Sequence, residues 1–294
     1  MSVVDAGRAT PHQTIVVRGG RIAAIDDAAH AETADVTIDG AGLFAIPGLI
    51  DAHVHLSGRP RDAAVADLKR ALQGGVTSVF DLAGDDRETG ELARESLAHE
   101  IEAPTIVYVG LLAGPAFFTD SRVVAASLGF TPGDAPWAQA VTDESDPVRT
   151  IAAARGTGAA GIKLYAAIDA TTARRMTEEA HRAHLSVVAH AATFPAKPSE
   201  LVNAGVDMLA HAAYLVWEGS APSADFTARA RGDFAHVPVD GPAMTALIDL
   251  MAARHTALNP TLWIFAEGMP KDALSDARTA WMNAITARAA RRGV

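Results

Sequence analysis

The chain contains no cysteine. Disulfides and thiolate catalysis are therefore excluded, and any bound metal falls to His, Asp, Glu or a modified Lys. Aromatic residues are scarce, at 5% of 294 residues, whereas apolar residues reach 49%, so the core is built from Ala, Val, Ile and Leu. Lysine and arginine total 25 against 35 Asp and Glu, a formal charge of −10. That balance speaks against nucleic acid or an anionic membrane as partner. No apolar run approaches the length of a membrane span. The opening Met1-Ser2-Val3-Val4-Asp5 lacks the charged and apolar parts of a signal peptide. A cytoplasmic location is expected, with the periplasm as the alternative, because a cysteine-free chain suits both.

What is present is a regular alternation. Residues 1–47 read as a small β module. Thr14–Arg18 and Arg21–Ile25 flank Gly19-Gly20 at hairpin spacing, and Val36–Gly40 and Leu43–Ile46 are two more short runs before Pro47-Gly48. Residues 48–294 then alternate strand and helix, which predicts a parallel sheet with helical crossovers. Strands are expected over 49–55, 77–82, 105–111, 160–165, 186–190, 207–211 and 256–262. Helices are expected over 62–73, 87–100, 148–156, 172–184 (capped by Thr171 or Thr172), 199–205, 242–254 and 272–292. Seven such units predict an α/β fold of the (β/α)8 TIM-barrel type with about seven units present. A doubly wound open sheet is the alternative, but no Gly-rich phosphate loop follows any strand.

Candidate ligands fall at the C-terminal ends of four strands, where such barrels place their chemistry. His53 and His55 lie two apart on strand one, hence on one face. Lys163 lies in Gly161-Ile162-Lys163-Leu164-Tyr165, His190 ends Val187-Val188-Ala189-His190, and His211 ends Met208-Leu209-Ala210-His211. Neutral imidazole is the commonest metal ligand; the alternative for each is a satisfied core histidine. By alternation Lys163 points inward, where an unpaired ammonium is costly. It either pairs with an anion, Asp81 at the end of strand two being a candidate, loses its proton, or is converted to a carbamate. His12, His30, His99, His181, His184, His236 and His255 read as solvated.

Pro47-Gly48-Leu49-Ile50-Asp51-Ala52-His53-Val54-His55-Leu56 resembles the strand-one motif of the amidohydrolase superfamily. Gly19–Ile25 and Ile38–Gly40 resemble its small β-sandwich, while Gly161–Tyr165, His190 and Ala204–His211 resemble its prolidase-like and imidazolonepropionase-like branch. The resemblance implies a metal-dependent hydrolase acting on C–N bonds with two divalent ions, zinc fitting the nitrogen-rich ligands. His53 and His55 would bind the more buried ion, His190 and His211 the second, and carboxylated Lys163 would bridge them. The expected substrate is a small-molecule amide, such as a dipeptide or N-acyl amino acid. The alternatives are a cyclic amide, lactone or phosphoester, or an inactive assembly subunit. Phe117, Tyr165 and Trp217 are expected to touch an apolar or aromatic acyl group, the alternative being packing under loops. Arg87 and Arg122 are candidates for binding a carboxylate. The family's strand-eight aspartate finds no counterpart before Val294, about where that strand would begin. The expectation is a C-terminally truncated barrel whose open edges favour a homo-oligomer or a complementing C-terminal chain.

Overall fold

A computed structural model describes residues 1–5, 7–27, 34–221, 232–268, 271–272 and 274–294. The backbone divides into two compact units, Met1–Leu49 and Ile50–Val294. In the first, β1 (Ser2–Asp5) runs antiparallel to β2 (Arg8–Thr10). β3 (Gln13–Arg18) and β4 (Arg21–Asp27) form the expected hairpin, whose turn needs left-handed backbone at both Gly19 (φ 56°) and Gly20 (φ 73°). β5 (Phe44–Ala45) pairs parallel with β1. The β1–β2 pair was not foreseen: three- and four-residue runs carry too little periodicity to stand out. The strand expected over 36–40 is not formed. Val36 and Ile38 are 78% and 81% exposed, with no ladder to reward extension.

The second unit follows the alternation. Its elements are β6 (Leu49–Val54), α1 (Arg61–Gln73), β7 (Val76–Asp81), α2 (Asp86–Leu97), β8 (Thr105–Ala113), α3 (Ser121–Ala126), β9 (Asp134–Ala135), β10 (Ala138–Ala140) and α4 (Pro147–Gly156). They continue as β11 (Gly161–Leu164), α5 (Ala170–Arg182), β12 (Ser186–His190), α6 (Pro198–Asn203), β13 (Met208–Ala210), α7 (Pro242–Arg254), β14 (Ala257–Asn259) and α8 (Ser275–Arg291). Strands β6, β7, β8, β11, β12, β13 and β14 pair in that order as seven parallel strands, nearly closed into a TIM-type barrel.

Period-two alternation sorts the two faces of the sheet. Ile162, Leu164, Val187, Ala189 and Leu209 pack outward on Ala173 and Met176 of α5, Leu201 of α6 and Leu247 of α7. Leu82, Val109, Val188 and Ala210 fill the interior. Residues 112–147, between the strand expected over 105–111 and the helix expected over 148–156, hold structure of their own. β10 pairs parallel with the end of β8, at Ala138↔Leu111 to Ala140↔Ala113, beyond the point where β7 leaves that strand.

Candidate active site

The alternation that buries Ile162 and Leu164 against the helices turns Lys163 inward, where it is 0% exposed. Its Nζ donates to the carbonyl of Leu82 at 3.3 Å and lies 3.3 Å from Nε2 of His53. Burial lowers the Lys163 ammonium to about 7, with the charge of Asp81 opposing the shift. Asp81 is itself buried at the end of β7. It accepts the Leu56 N–H at 2.7 Å, and burial raises it to about 6. The expected alternative of a direct Lys163–Asp81 pair is not formed among the described contacts.

The four sequence-selected histidines come together with this lysine. The His53 ring lies 5.4 Å from that of His55 and 4.8 Å from that of His211. His190 and His211 bring their Nε2 atoms within 3.2 Å. Burial, then the charge of Lys163, holds His53 neutral far below the ordinary imidazole range. The same two causes lower His55 to about 4. His55 keeps a water-accessible edge at the open end of the barrel while being surrounded by protein. Its Nδ1–H donates to the Ala83 carbonyl at 2.9 Å, which fixes the tautomer and leaves the Nε2 lone pair available. His211 Nδ1 lies 2.8 Å from Thr261 Oγ1.

The backbone under these groups is unusual. Ala83, Ala167, Phe194, His211 and Thr261 all have positive φ, from 48° to 90°, and each stands just past a barrel strand. Left-handed backbone at a non-glycine residue costs about 1–3 kcal/mol and gathers at functional sites. Thr261, the Ala83 carbonyl, Tyr214 and Phe265 are site components that sequence reasoning missed. Tyr214 lies 5.1 Å from His211 and 5.6 Å from His190, and Phe265 lies 5.8 Å from His211, ring to ring. Only tertiary contact marks them, since neither a tyrosine three residues past a strand nor a lone threonine signals chemistry.

The remaining candidates separate. Tyr165 stacks on His190 at 4.0 Å and on Phe117 at 4.6 Å. Trp217 meets Phe194 at 5.0 Å. Arg87 is held by Asp85 at 2.6 Å and lies over Trp137 at 4.4 Å, and Arg122 is held by Asp120 at 2.7 Å. Both aspartates are the N-caps of the helices that follow. Of the histidines read as solvated, His181 pairs with Asp207 and His236 with Asp233. His12, His99, His184 and His255 occupy left-handed turns, and His30 lies outside the described residues.

Among the described residues no three His, Asp or Glu side chains form a metal cage by themselves. The cluster nevertheless suits cations. Three imidazole Nε2 atoms and an amine crowd together, and the buried His53 Nδ1 and Asp81 Oδ1 have no hydrogen-bond partner among the described residues. Neutral imidazoles and a weakened ammonium are the protonation states that a divalent ion requires.

Residues 44–272 match the sequence pattern of the amidohydrolase family. An allantoinase from Salmonella choleraesuis is 38% identical over 87 residues, covering 26% of this chain and 19% of that protein. An enamidase from Eubacterium barkeri is 45% identical over 72 residues, covering 23% and 19%. The matched region thus spans about a fifth of the length of these curated relatives. In structure, A. niger ochratoxinase superimposes with a TM-score of 0.66 at 19% identity, over 100% of this chain and 72% of that one. A Xaa-Pro dipeptidase gives 0.67 at 16%, over 100% and 76%. These likenesses concern the fold. By the match over residues 44–272, the chain belongs to the amidohydrolase family.

Proposed function

We propose that the chain carries the metal centre of a hydrolase that cleaves a C–N amide bond in a small molecule of the dipeptide or N-acyl amino acid type. The observation that carries this reading is the meeting of His53, His190 and His211 with fully buried Lys163 at the C-terminal ends of β6, β11, β12 and β13. In it, His53 and His55 would hold one divalent ion, His190 and His211 the other, and Lys163 as its carbamate would add an anionic ligand. Zinc suits so nitrogen-rich a set. Bound divalent ions would polarise the substrate carbonyl and lower the pKa of water from about 16 toward 7.

The protein's own groups prepare that chemistry. A lysine lowered to about 7 is substantially the free amine at neutral pH, the form whose lone pair attacks carbon dioxide. The N–C bond forms as one C=O π bond of carbon dioxide opens onto its oxygen, the nitrogen releases a proton to water, and the product is a carbamate anion. The Ala83 carbonyl orients His55, and the Thr261 hydroxyl steadies His211. Tyr165 lies over His190 and shields it from water. In this reading the proton-shuttling carboxylate belongs to an eighth strand, and the proposed partner is a second copy of the chain or a complementing chain. A second reading, a cyclic amide as substrate, is favoured by the sequence likeness to the allantoinase and to a dihydroorotase from Anoxybacillus flavithermus, 40% identical over 68 residues.

Elemental analysis and a substrate panel test the proposal. Protein produced with zinc should hold about two equivalents. It should hydrolyse members of a panel of dipeptides, N-acyl amino acids and cyclic amides, alone or with a strand-eight polypeptide added. Chelation should abolish turnover and zinc should restore it. His190→Asn should cost at least about 100-fold in kcat/KM. Zinc-replete protein retaining less than one equivalent would sink the reading.

A further inference from the structure

Although aromatic residues are only 5% of the chain, four of them from four different connections gather beside the imidazoles. Phe117 lies in the 3-10 turn Pro115–Thr119 after β8, and Tyr165 immediately follows β11. Tyr214 lies in the 3-10 turn Ala212–Glu218 after β13, and Phe265 follows β14. With the His190 ring in the middle, their rings make a continuous chain. Phe117 meets Tyr165 at 4.6 Å and 34°, and Tyr165 meets His190 at 4.0 Å and 41°. Tyr214 bridges from His190, at 5.6 Å, to Phe265, also at 5.6 Å.

The four rings differ in exposure. Tyr214 and Phe265 are 6% and 3% exposed and form the backing. Phe117 and Tyr165 are half-buried and keep surface for a ligand. The pair is fixed by its backbone. Tyr165 N–H donates to the Leu112 carbonyl at 2.9 Å, and Gly114 N–H donates to the Ala166 carbonyl at 2.8 Å. The two connections approach so closely at Gly114 that a Cβ there would stand 2.2 Å from the Ala167 oxygen. Phe118, buried beneath at 6.1 Å from Phe117, braces the turn. A wall of this kind favours a flat ring over a flexible chain, because offset and edge-on ring contacts add to simple area burial.

We propose that the substrate carries a planar aromatic group next to the scissile amide, seated against Phe117 and Tyr165. This rests on the amide-hydrolase reading above and narrows it to aromatic acyl amides. The test compares N-benzoylglycine with N-heptanoylglycine, whose acyl groups have equal carbon counts. Both are titrated calorimetrically into zinc-loaded protein, and kcat/KM is measured for each. The wild type should prefer the benzoyl compound about tenfold in affinity and in kcat/KM. Phe117→Leu should bring the two within about threefold, and Phe117→Tyr, which keeps the ring, should restore the preference.

Equal or tighter binding of the heptanoyl compound, no binding of either at millimolar concentration, or equal weakening of both by Phe117→Leu would overturn the ring seat. The two readings fail separately. A benzoyl preference in binding with neither amide cleaved, with or without the strand-eight polypeptide, removes the hydrolase reading and leaves the ring seat. Cleavage of both amides with equal kcat/KM and equal affinity removes the ring seat and leaves the hydrolase.

Discussion

Thr157 has one hydroxyl proton and two acceptors within reach. Its Oγ1 lies 2.7 Å from Asp86 Oδ2 and 2.8 Å from the Ala154 carbonyl. Both contacts are hydrogen bonds only if the Asp86 carboxyl carries a proton of its own. Its surroundings favour that form. Asp86 is 3% exposed, and burial, opposed by the Thr157 contact and reinforced by Asp81 and Asp85, raises it to about 8. Arg87 is bound to Asp85 rather than to Asp86. The raised value makes stability fall with pH. Between about pH 4 and pH 8 the folded state keeps a proton that the unfolded chain has released, so the native state loses ground as pH rises through that window. Denaturant titrations at pH 5 and pH 9 should show a loss with a contribution of about 4 kcal/mol from this group, and Asp86→Asn should remove most of it. A pH dependence identical in the variant would contradict the assignment. Residue chemistry of this kind is invisible in a linear sequence, where Asp86 is one of 35 acidic residues.

Helix α5 shows what is local at the scale of an element. Its existence and length follow from an apolar stripe at helical spacing, with Ala173, Met176 and Ala180 fully buried. Its cap is not the expected Thr171 or Thr172. Asp169 takes that role, accepting the Thr172 N–H at 2.8 Å, and the helix begins at Ala170. Threonine and aspartate both cap, so a run Asp-Ala-Thr-Thr offers several starts, and packing of the first turn selects one. Asp169→Ala should therefore lower stability by about 1 kcal/mol, read as a drop in Tm, while Thr171→Ala should leave it nearly unchanged. Strands were equally legible where they are buried on both faces. β12 spans the expected Ser186–His190, because a run of Val and Ala flanked by polar residues has one reading inside an alternating chain. β5 falls inside the expected run Leu43–Ile46, whereas the two-residue β9 and the β10 insertion were not legible, since β10 is held by pairing with the distant β8, Ala138 with Leu111, and β9 pairs in turn with β10.

At the scale of the whole molecule, β6 and β14 are the outer strands of the seven, and a side chain links them. Asn259, at the end of β14, donates from Nδ2 to the Ala52 carbonyl of β6 at 2.6 Å, and it is almost fully buried. The bond spans 207 residues of sequence, so it joins the first strand of the barrel to the seventh. Asn259→Ala should cost about 1–3 kcal/mol, because the half-buried Ala52 carbonyl loses its donor. Chemical denaturation would measure it, and amide exchange along β6 should rise with it. An unchanged midpoint would show that water or the neighbouring strand takes over the bond.

The sequence by itself determined the order of strands and helices, the inward turn of Lys163, and the choice of His53, His55, His190 and His211. It could do so because hydrophobic period reports which face of each element is buried, and strand ends in such barrels share one rim. Tertiary structure alone decided that Thr261 and the Ala83 carbonyl orient two of those imidazoles, that Tyr214 and Phe265 join Phe117 and Tyr165 as a wall, and that Asp86 meets Thr157 across 71 residues. Those contacts bring together groups from separate loops, whose paths are set by packing and close backbone approach rather than by any local preference.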